Sequence, residues 1–298
     1  MTDRDLSHIH PDFQHVAGLS NEERIRFLYE PRWLGYPRAH EILGRMRALM
    51  EMPTRPRMTN LLIVGEPNNG KTTLVRRFVQ IHGQSHVDKE EGEPHIPVVV
   101  AEAPPKPDEK GLYVSILERF RTPYRATDPA PKMRYQLIHL MRYCHVRLLV
   151  IDEFHSLLTG TPVKQREVMN ALKLLCNELG IPIVGVGTAE AVRVLHSDPQ
   201  HASRFDVAKL GLWDLDKAFI QLLVGFERVL PLLEPSGLNR PELARPLHAI
   251  SGGNLGDLHR LLIECATEAI QCGTERITPE IIEAKSWVRP TRGIRELS

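Results

Sequence analysis

No stretch of the 298 residues approaches the roughly eighteen consecutive apolar side chains that a membrane span requires. Met1 to Asp12 is polar and unlike a signal peptide, so a cytoplasmic protein with no membrane partner is expected. Four cysteines (Cys144, Cys176, Cys265 and Cys272) form no C-x-x-C pair, which argues against a zinc site or a disulfide framework. Nor does one sign of charge dominate: 38 Lys and Arg against 37 Asp and Glu leave a net charge of +1. That excludes a protein basic on every face, and any nucleic-acid surface must be local or assembled from several subunits. Basic residues cluster from Arg24 to Arg57, but Glu22, Glu23, Glu30, Glu41 and Glu51 interleave them, so a solvated helix surface is at least as good a reading as a nucleic-acid surface. Internal repeats and low-complexity tracts are also missing. The length allows one large core with a smaller satellite.

What the chain does have is GEPNNGKTT at residues 65–73. Two glycines four residues apart, followed by Lys and Thr, fit the G-x-x-x-x-G-K-[ST] loop, whose successive backbone N–H groups form an anion-binding nest. The nucleotide-binding set is then Gly65, Glu66, Pro67, Asn68, Asn69, Gly70, Lys71, Thr72 and Thr73. Lys71 would reach the β- and γ-phosphates of ATP, and the Thr72 hydroxyl would sit on Mg²⁺. The context fits. Leu61 to Val64 reads as a buried parallel strand, and LVRRFVQ after the loop has helical spacing, which aims a helix N-terminus at the phosphates.

Residues 1–20 read as a loose, flexible arm. A helix begins at Asn21, and a second carries Ile42, Leu43, Met46, Leu49 and Met50 on one side. His95 to Ala103 reads as a strand, KGLYVSILERF and MRYQLIHLMRYC as helices, and RLLVIDE (Arg147 to Glu153) as a strand ending in two acids. A helix at about Lys164 to Leu179, a strand at Ile181 to Gly187, and a fifth strand around Asp206 to Gly211 follow. Strands alternating with helices predict an α/β domain with a doubly wound, parallel, five-stranded sheet over 21–212. Segments 215–230, 241–251, 255–271 and 278–287 all read as helices, the last opened by Thr278 as N-cap with Pro279 behind it. They form a small all-helical domain, 213–287, before a basic tail, 288–298.

Asp152 can hold Mg²⁺ through water, while Glu153 is placed to orient and deprotonate the attacking water. Thr188, at the tip of the next strand, either bonds the water or γ-phosphate or simply caps the helix that follows. Arg204 precedes the fifth strand, where an arginine can point away from its own nucleotide and into a neighbouring subunit's. Tyr36 and Pro37 are either stacking partners for adenine or a turn packed on the core.

The order GEPNNGKTT, LLVIDE, VGT, SRF and then a helical segment containing SGGNLGDLHRLL resembles AAA+ ATPases of the initiator and helicase-loader kind. With RWLGYPRAHEIL ahead of the phosphate loop, the chain is similar to the TniB family of transposition proteins, relatives of TnsC and more distantly of MuB and IstB. The resemblance spans about Leu19 to Trp287. It implies an ATPase that oligomerises, as a ring or filament, on double-stranded DNA of no strong sequence preference. The partners it implies are a transposase and a TniQ-type target-selection protein, with hydrolysis resetting the assembly. By position, Lys71, Thr72, Asp152 and Glu153 match the Walker residues, Thr188 the first sensor and Arg204 the trans-acting finger. Lys106, Lys110, Lys132 and Lys164 fall in the region that faces DNA in such proteins. Leu255 and Gly256 stand in the usual place of the second-sensor arginine; either Arg260, a turn and a half later, substitutes for it in binding nucleotide, or the nucleotide is sensed only through packing of Asn254 and the helix N-terminus. A replicative helicase loader and a small-molecule P-loop kinase are the alternatives on the same fold.

Overall fold

The computed structural model describes residues 5–55, 57–90, 92–125, 127–196 and 203–285. By their contacts these fall into two units. One comprises Pro37–Glu66 and Lys71–Leu210; the other joins the residues up to Tyr36, the short segment Pro67–Gly70 and the residues from Gly211 on. The basic tail expected at 288–298 lies outside the described residues.

The first unit is built on a parallel sheet of five strands: β1 (Asn60–Gly65), β2 (Val98–Glu102), β3 (Leu148–Asp152), β4 (Ile183–Gly187) and β5 (Phe205–Leu210), in the order β2-β3-β4-β1-β5. The continuous apolar runs in β1, β3 and β4 are buried along nearly their whole length, as strands covered on both faces must be. Helices α2 (Pro37–Glu51), α3 (Lys71–His82), α4 (Glu109–Leu117), α5 (Ala130–Tyr143), α6 (Pro162–Leu179) and α7 (Glu190–His196) complete it. The core gathers Leu112, Ile116, Leu137 and Met141 from the helices against Leu149, Ile151 and Ile183 from the sheet. The strand expected over 95–103 is interrupted at Pro97, which has no N–H to give a ladder. Pro94–His95 instead pairs antiparallel with His86–Val87, and β2 proper starts at Val98.

The second unit is helical. It contains α1 (Asn21–Leu28), α8 (Lys217–Glu227), α9 (Pro241–Ser251), α10 (Leu255–Cys272) and α11 (Pro279–Glu283) around a core of Phe219, Leu223, Leu258, Leu262, Ala266 and Ile282. The caps are legible residue by residue. Ser20 and Glu23 form a reciprocal capping box on α1, and Thr278 accepts from Ile281 N ahead of Pro279 on α11.

The described part of the expected loose arm, from residue 5 on, is instead docked. Pro11–Gly18 winds into a 3-10 helix, Ile9, Val16 and Ala17 are buried, and His10 N donates to the carbonyl of Arg228 at 2.8 Å. Apolar residues too sparse to show a period still dock the segment, because the helical unit offers them an apolar surface. Behind it, Arg24 is 2% exposed. Its guanidinium donates to the Pro231 carbonyl at 2.7 and 3.0 Å and to both carboxylate oxygens of Glu275. Leaving Glu275 beside an empty site should be expensive, so Arg24→Ala is expected to cost about 3–5 kcal/mol, read as a lowered urea midpoint.

The thiols are unpaired. Burial pushes Cys144, Cys176 and Cys265 up, the last to about 12, whereas the exposed Cys272 is held below its ordinary value by hydrogen bonds from Thr274. Because the thiolate is the reactive form, a thiol reagent at neutral pH should titrate Cys272 quickly and alone in the native protein. The other three should appear only on unfolding, and a second fast equivalent would contradict this assignment.

Candidate functional site

β1 ends at Gly65 because only glycine fits there: a Cβ would stand 2.6 Å from the Leu210 carbonyl oxygen of the neighbouring strand. The chain then turns through Gly70, at φ +81°, and starts α3 at Lys71. Asn68 takes a left-handed φ of 57°, which an Asn side chain tolerates.

Within the sheet unit the predicted residues converge. Lys71 Nζ donates to the carbonyls of Gly65 at 2.9 Å and Glu66 at 2.8 Å, so the ammonium is curled over the start of the loop. Burial lowers its pKa, while Glu153, Asp152 and Glu66 oppose that shift. Thr72 Oγ1 donates to Asp152 Oδ2 at 2.8 Å, although β4 lies between β1 and β3. Glycines in β4 make room for the turn that follows Asp152. A Cβ at Gly185 would meet the Phe154 ring at 2.8 Å, and one at Gly187 would meet His155 N at 3.2 Å.

Glu153 leaves β3 in a left-handed conformation, φ 53°, with its carboxylate exposed and 3.4 Å from His155 Nε2. His155 was not singled out in the sequence; its position two residues past the acidic pair was the available signal. Its Nδ1 is buried without a hydrogen-bond partner among the described residues. So is the Thr188 hydroxyl, which therefore does not cap α7. Two orphaned polar atoms next to the acids mark a place that the folded chain leaves polar at a cost of about 1–3 kcal/mol each.

In the helical unit, the tip of the phosphate loop is bound to the start of α10. Asn254 Nδ2 donates to the Pro67 carbonyl at 3.0 Å, Leu255 N to Asn69 Oδ1 at 3.0 Å, and Gly256 N to the Asn68 carbonyl at 3.0 Å. Asn68 Nδ2 donates to Asp257 Oδ1 at 2.9 Å, and the buried Asn69 donates to the Gly211 carbonyl at 2.9 Å. The sequence reading put Asn68 and Asn69 in the loop but did not foresee their partners.

The remaining predicted residues are more scattered. Arg204 immediately precedes β5; its carbonyl accepts from Asn60 N, and its guanidinium donates to Asn177. Because β1 and β5 are adjacent, parallel and in register from Asn60 to Gly65, Arg204 lies at the opposite end of the strands from its own phosphate loop, about 16 Å along the strand direction. Tyr36 is buried edge-to-face on Trp213, with centroids 5.0 Å apart, and burial pushes its hydroxyl up to about 12. Pro37, at the start of α2, is exposed. Arg260 donates to Glu264 one turn along α10. Lys106 is exposed on the loop after β2, close to the loop after β3 that leads to Lys164, since Pro107 is 3.2 Å from a Cβ built on Gly160. Lys164 pairs with Glu167 and Lys132 with Asp128, while Lys110 stands in the first turn of α4.

The sheet order, the glycine loop after β1 and the acids after β3 define the fold of a P-loop AAA+ ATPase. Solved structures bear this out at the level of fold. The Aeropyrum pernix ORC2 protein in ADPNP-ADP complexes superposes with a TM-score of 0.59 at 18% identity, over 87% of this chain and 71% of that one. ORC1 of the same organism in complex with DNA gives 0.60 at 16% identity, over 87% and 68%. Cdc6p from Pyrobaculum aerophilum gives 0.59 at 17% identity, over 85% and 68%. No curated protein matches. The model of the bacterial TniB protein family matches residues 24–215, and the chain belongs to that family.

The orphaned hydroxyl yields a prediction of its own. Thr188→Val keeps the shape and removes an unpaired polar atom, so the protein without nucleotide should gain up to about 1 kcal/mol in a urea titration. A loss of stability would mean that the hydroxyl has a partner in the resting protein.

Proposed function

We propose that this chain is an ATP-dependent, DNA-binding regulator of transposition that oligomerises on target DNA, engages a partner transposase, and is reset by ATP hydrolysis. One observation carries the ATPase part of the reading: the Thr72–Asp152 bond brings the end of β3 to the phosphate loop, with Glu153 next in the chain and an unpartnered Thr188 hydroxyl one strand away. Membership of the TniB family supports the transposition part. Similar folds include the ORC2 protein in ADPNP-ADP complexes and the ORC1 protein in complex with DNA.

Mg²⁺ fits this donor set. Thr72 and Asp152 offer two hard oxygen atoms 2.8 Å apart, and the ion ordinarily takes few protein ligands and completes its shell with phosphate and water. Consistently, no group of three or more His, Cys, Asp or Glu among the described residues could hold a metal alone. When bound, it supplies charge neutralisation on the β- and γ-phosphates.

The protein's own contribution is to place and activate the water. Glu153 accepts a proton as the water oxygen bonds to the γ-phosphorus, and the bond to the bridging oxygen breaks, releasing ADP. Thr188 donates to the γ-phosphate or the water, and Lys71 exchanges its loop carbonyls for phosphate oxygens. Arg204 faces away from its own loop, which suits a role in a neighbouring subunit's site. Lys106, Lys110 and Lys164, on the loops and helix starts that follow β2 and β3, are the proposed phosphate contacts to DNA together with Lys132, and Lys132 and Lys164 would exchange their pairing to Asp128 and Glu167 for phosphate.

Turnover tests the assignment. Glu153→Gln should retain ATP and lose about a hundredfold or more in hydrolysis. Arg204→Ala should bind ATP normally and hydrolyse it poorly. Mixing the two variants should restore part of the activity, because each Glu153→Gln subunit lends its arginine to an intact site. Failure of the mixture to exceed either variant would overturn the trans role of Arg204, and full activity in Glu153→Gln would overturn the base.

A further inference from the structure

We propose that Asp257 is a positioning residue for nucleotide binding, holding the tip of the phosphate loop so that its backbone N–H groups face the phosphates. The inference rests on the reading that this loop binds ATP.

Asp257 is 3% exposed and sits in the first turn of α10. An acid there is favoured by the helix dipole, yet the capping duty is already discharged. Asn254 Oδ1 accepts from Gly256 N at 3.0 Å and Asp257 N at 3.2 Å, and Leu255 N and Gly256 N are engaged by the loop. What remains for the carboxyl group is Asn68: Oδ1 accepts from Asn68 Nδ2, and Oδ2 is buried without a hydrogen-bond partner among the described residues. A buried acid with one side-chain partner is a costly way to fill space. An apolar side chain would fill the same position without that penalty, so the contact to Asn68 is what the acid provides.

The consequence for the loop follows from peptide geometry. In a trans peptide the carbonyl and the following N–H lie in one plane and point in opposite directions. Asn254 Nδ2 holds the Pro67 carbonyl and Gly256 N holds the Asn68 carbonyl, so both carbonyls face α10. The N–H groups of Asn68 and Asn69 are thereby turned to the other side, where an anion-binding nest needs them. Asn68 is the weak point of this arrangement, because it holds a left-handed φ of 57° that glycine would adopt without strain. Its side-chain bond to Asp257 is the contact that fixes a conformation the backbone does not prefer. Gly256 completes the fit, since a Cβ there would come within 2.2 Å of the Asn68 carbonyl oxygen.

Equilibrium binding of a fluorescent ATP analogue to the full chain tests this, with circular dichroism as the check on folding. Asp257→Ala should weaken binding by about tenfold, the scale of a hydrogen bond to an acidic group. Asp257→Asn keeps an oxygen acceptor and should bind close to the wild type. Asn68→Gly relieves the backbone but removes the donor, and should weaken binding as Asp257→Ala does. That variant, at an exposed side chain, keeps the test open if Asp257→Ala does not fold. The double variant should be no weaker than either single one. Unchanged affinity in Asp257→Ala or Asn68→Gly, or losses that multiply in the double variant, would overturn the proposal while leaving the ATPase reading intact. A wild-type chain that binds no ATP would instead overturn that reading, and this inference with it.

Discussion

Gly65 and the Leu210 carbonyl approach each other so closely that β1 has no room for a side chain where it ends. That contact fixes the point at which the central strand hands over to the phosphate loop. β1 is hydrogen-bonded on both sides, to β4 and to β5, with its first residue held as firmly as its last: Asn60 Oδ1 accepts from Ile183 N at 2.9 Å, and Asn60 N donates to the Arg204 carbonyl. A strand so enclosed cannot slide by one residue without moving every buried side chain of the sheet. The positions of Lys71 and Thr72 on the following helix are consequences of that immobility.

The acidic turn after β3 depends on a second economy of side chains. Glycines at 185 and 187 leave β4 thin enough for Phe154 and His155 to lie over it, just past the Asp152 that bonds to Thr72. The result is an electrostatic standoff in the resting protein. Lys71 is desolvated and turned onto carbonyls, the acids beside it oppose the loss of its charge, and Thr188 and His155 each leave a polar atom unpaired. A triphosphate would offer the Thr188 hydroxyl an acceptor and the Lys71 ammonium charged oxygens in place of neutral carbonyls.

Much of this was legible in the sequence, because the signals are local. GEPNNGKTT, the apolar runs ending in Asp152 and in Gly187-Thr188, and the Thr278-Pro279 helix start all depend on residues adjacent in the chain, and the five strands fall where those runs are. What was not legible depends on pairs far apart. Nothing around Arg24 announces that it will be buried against Glu275, so the N-terminal residues read as a loose arm when they are docked. Asn68 and Asn69 look like ordinary polar positions of a phosphate loop until Asn254 to Asp257 are placed beside them. Tyr36 reads equally as a platform for a base or as part of a turn packed on the core, and the structure buries its ring edge-to-face on Trp213. Pro97 is a local signal, and it starts β2 three residues later than the apolar run suggests.

The central claim is that nucleotide held by this loop governs an assembly on DNA, and duplex binding in a salt series tests it most directly. With ATP or a slowly hydrolysed analogue, the protein should bind duplex of arbitrary sequence, with an affinity that falls steeply with salt as phosphate contacts are lost and with oligomers visible by electron microscopy. With ADP, binding should weaken. Equal binding in every nucleotide state, or none in any, would contradict the account.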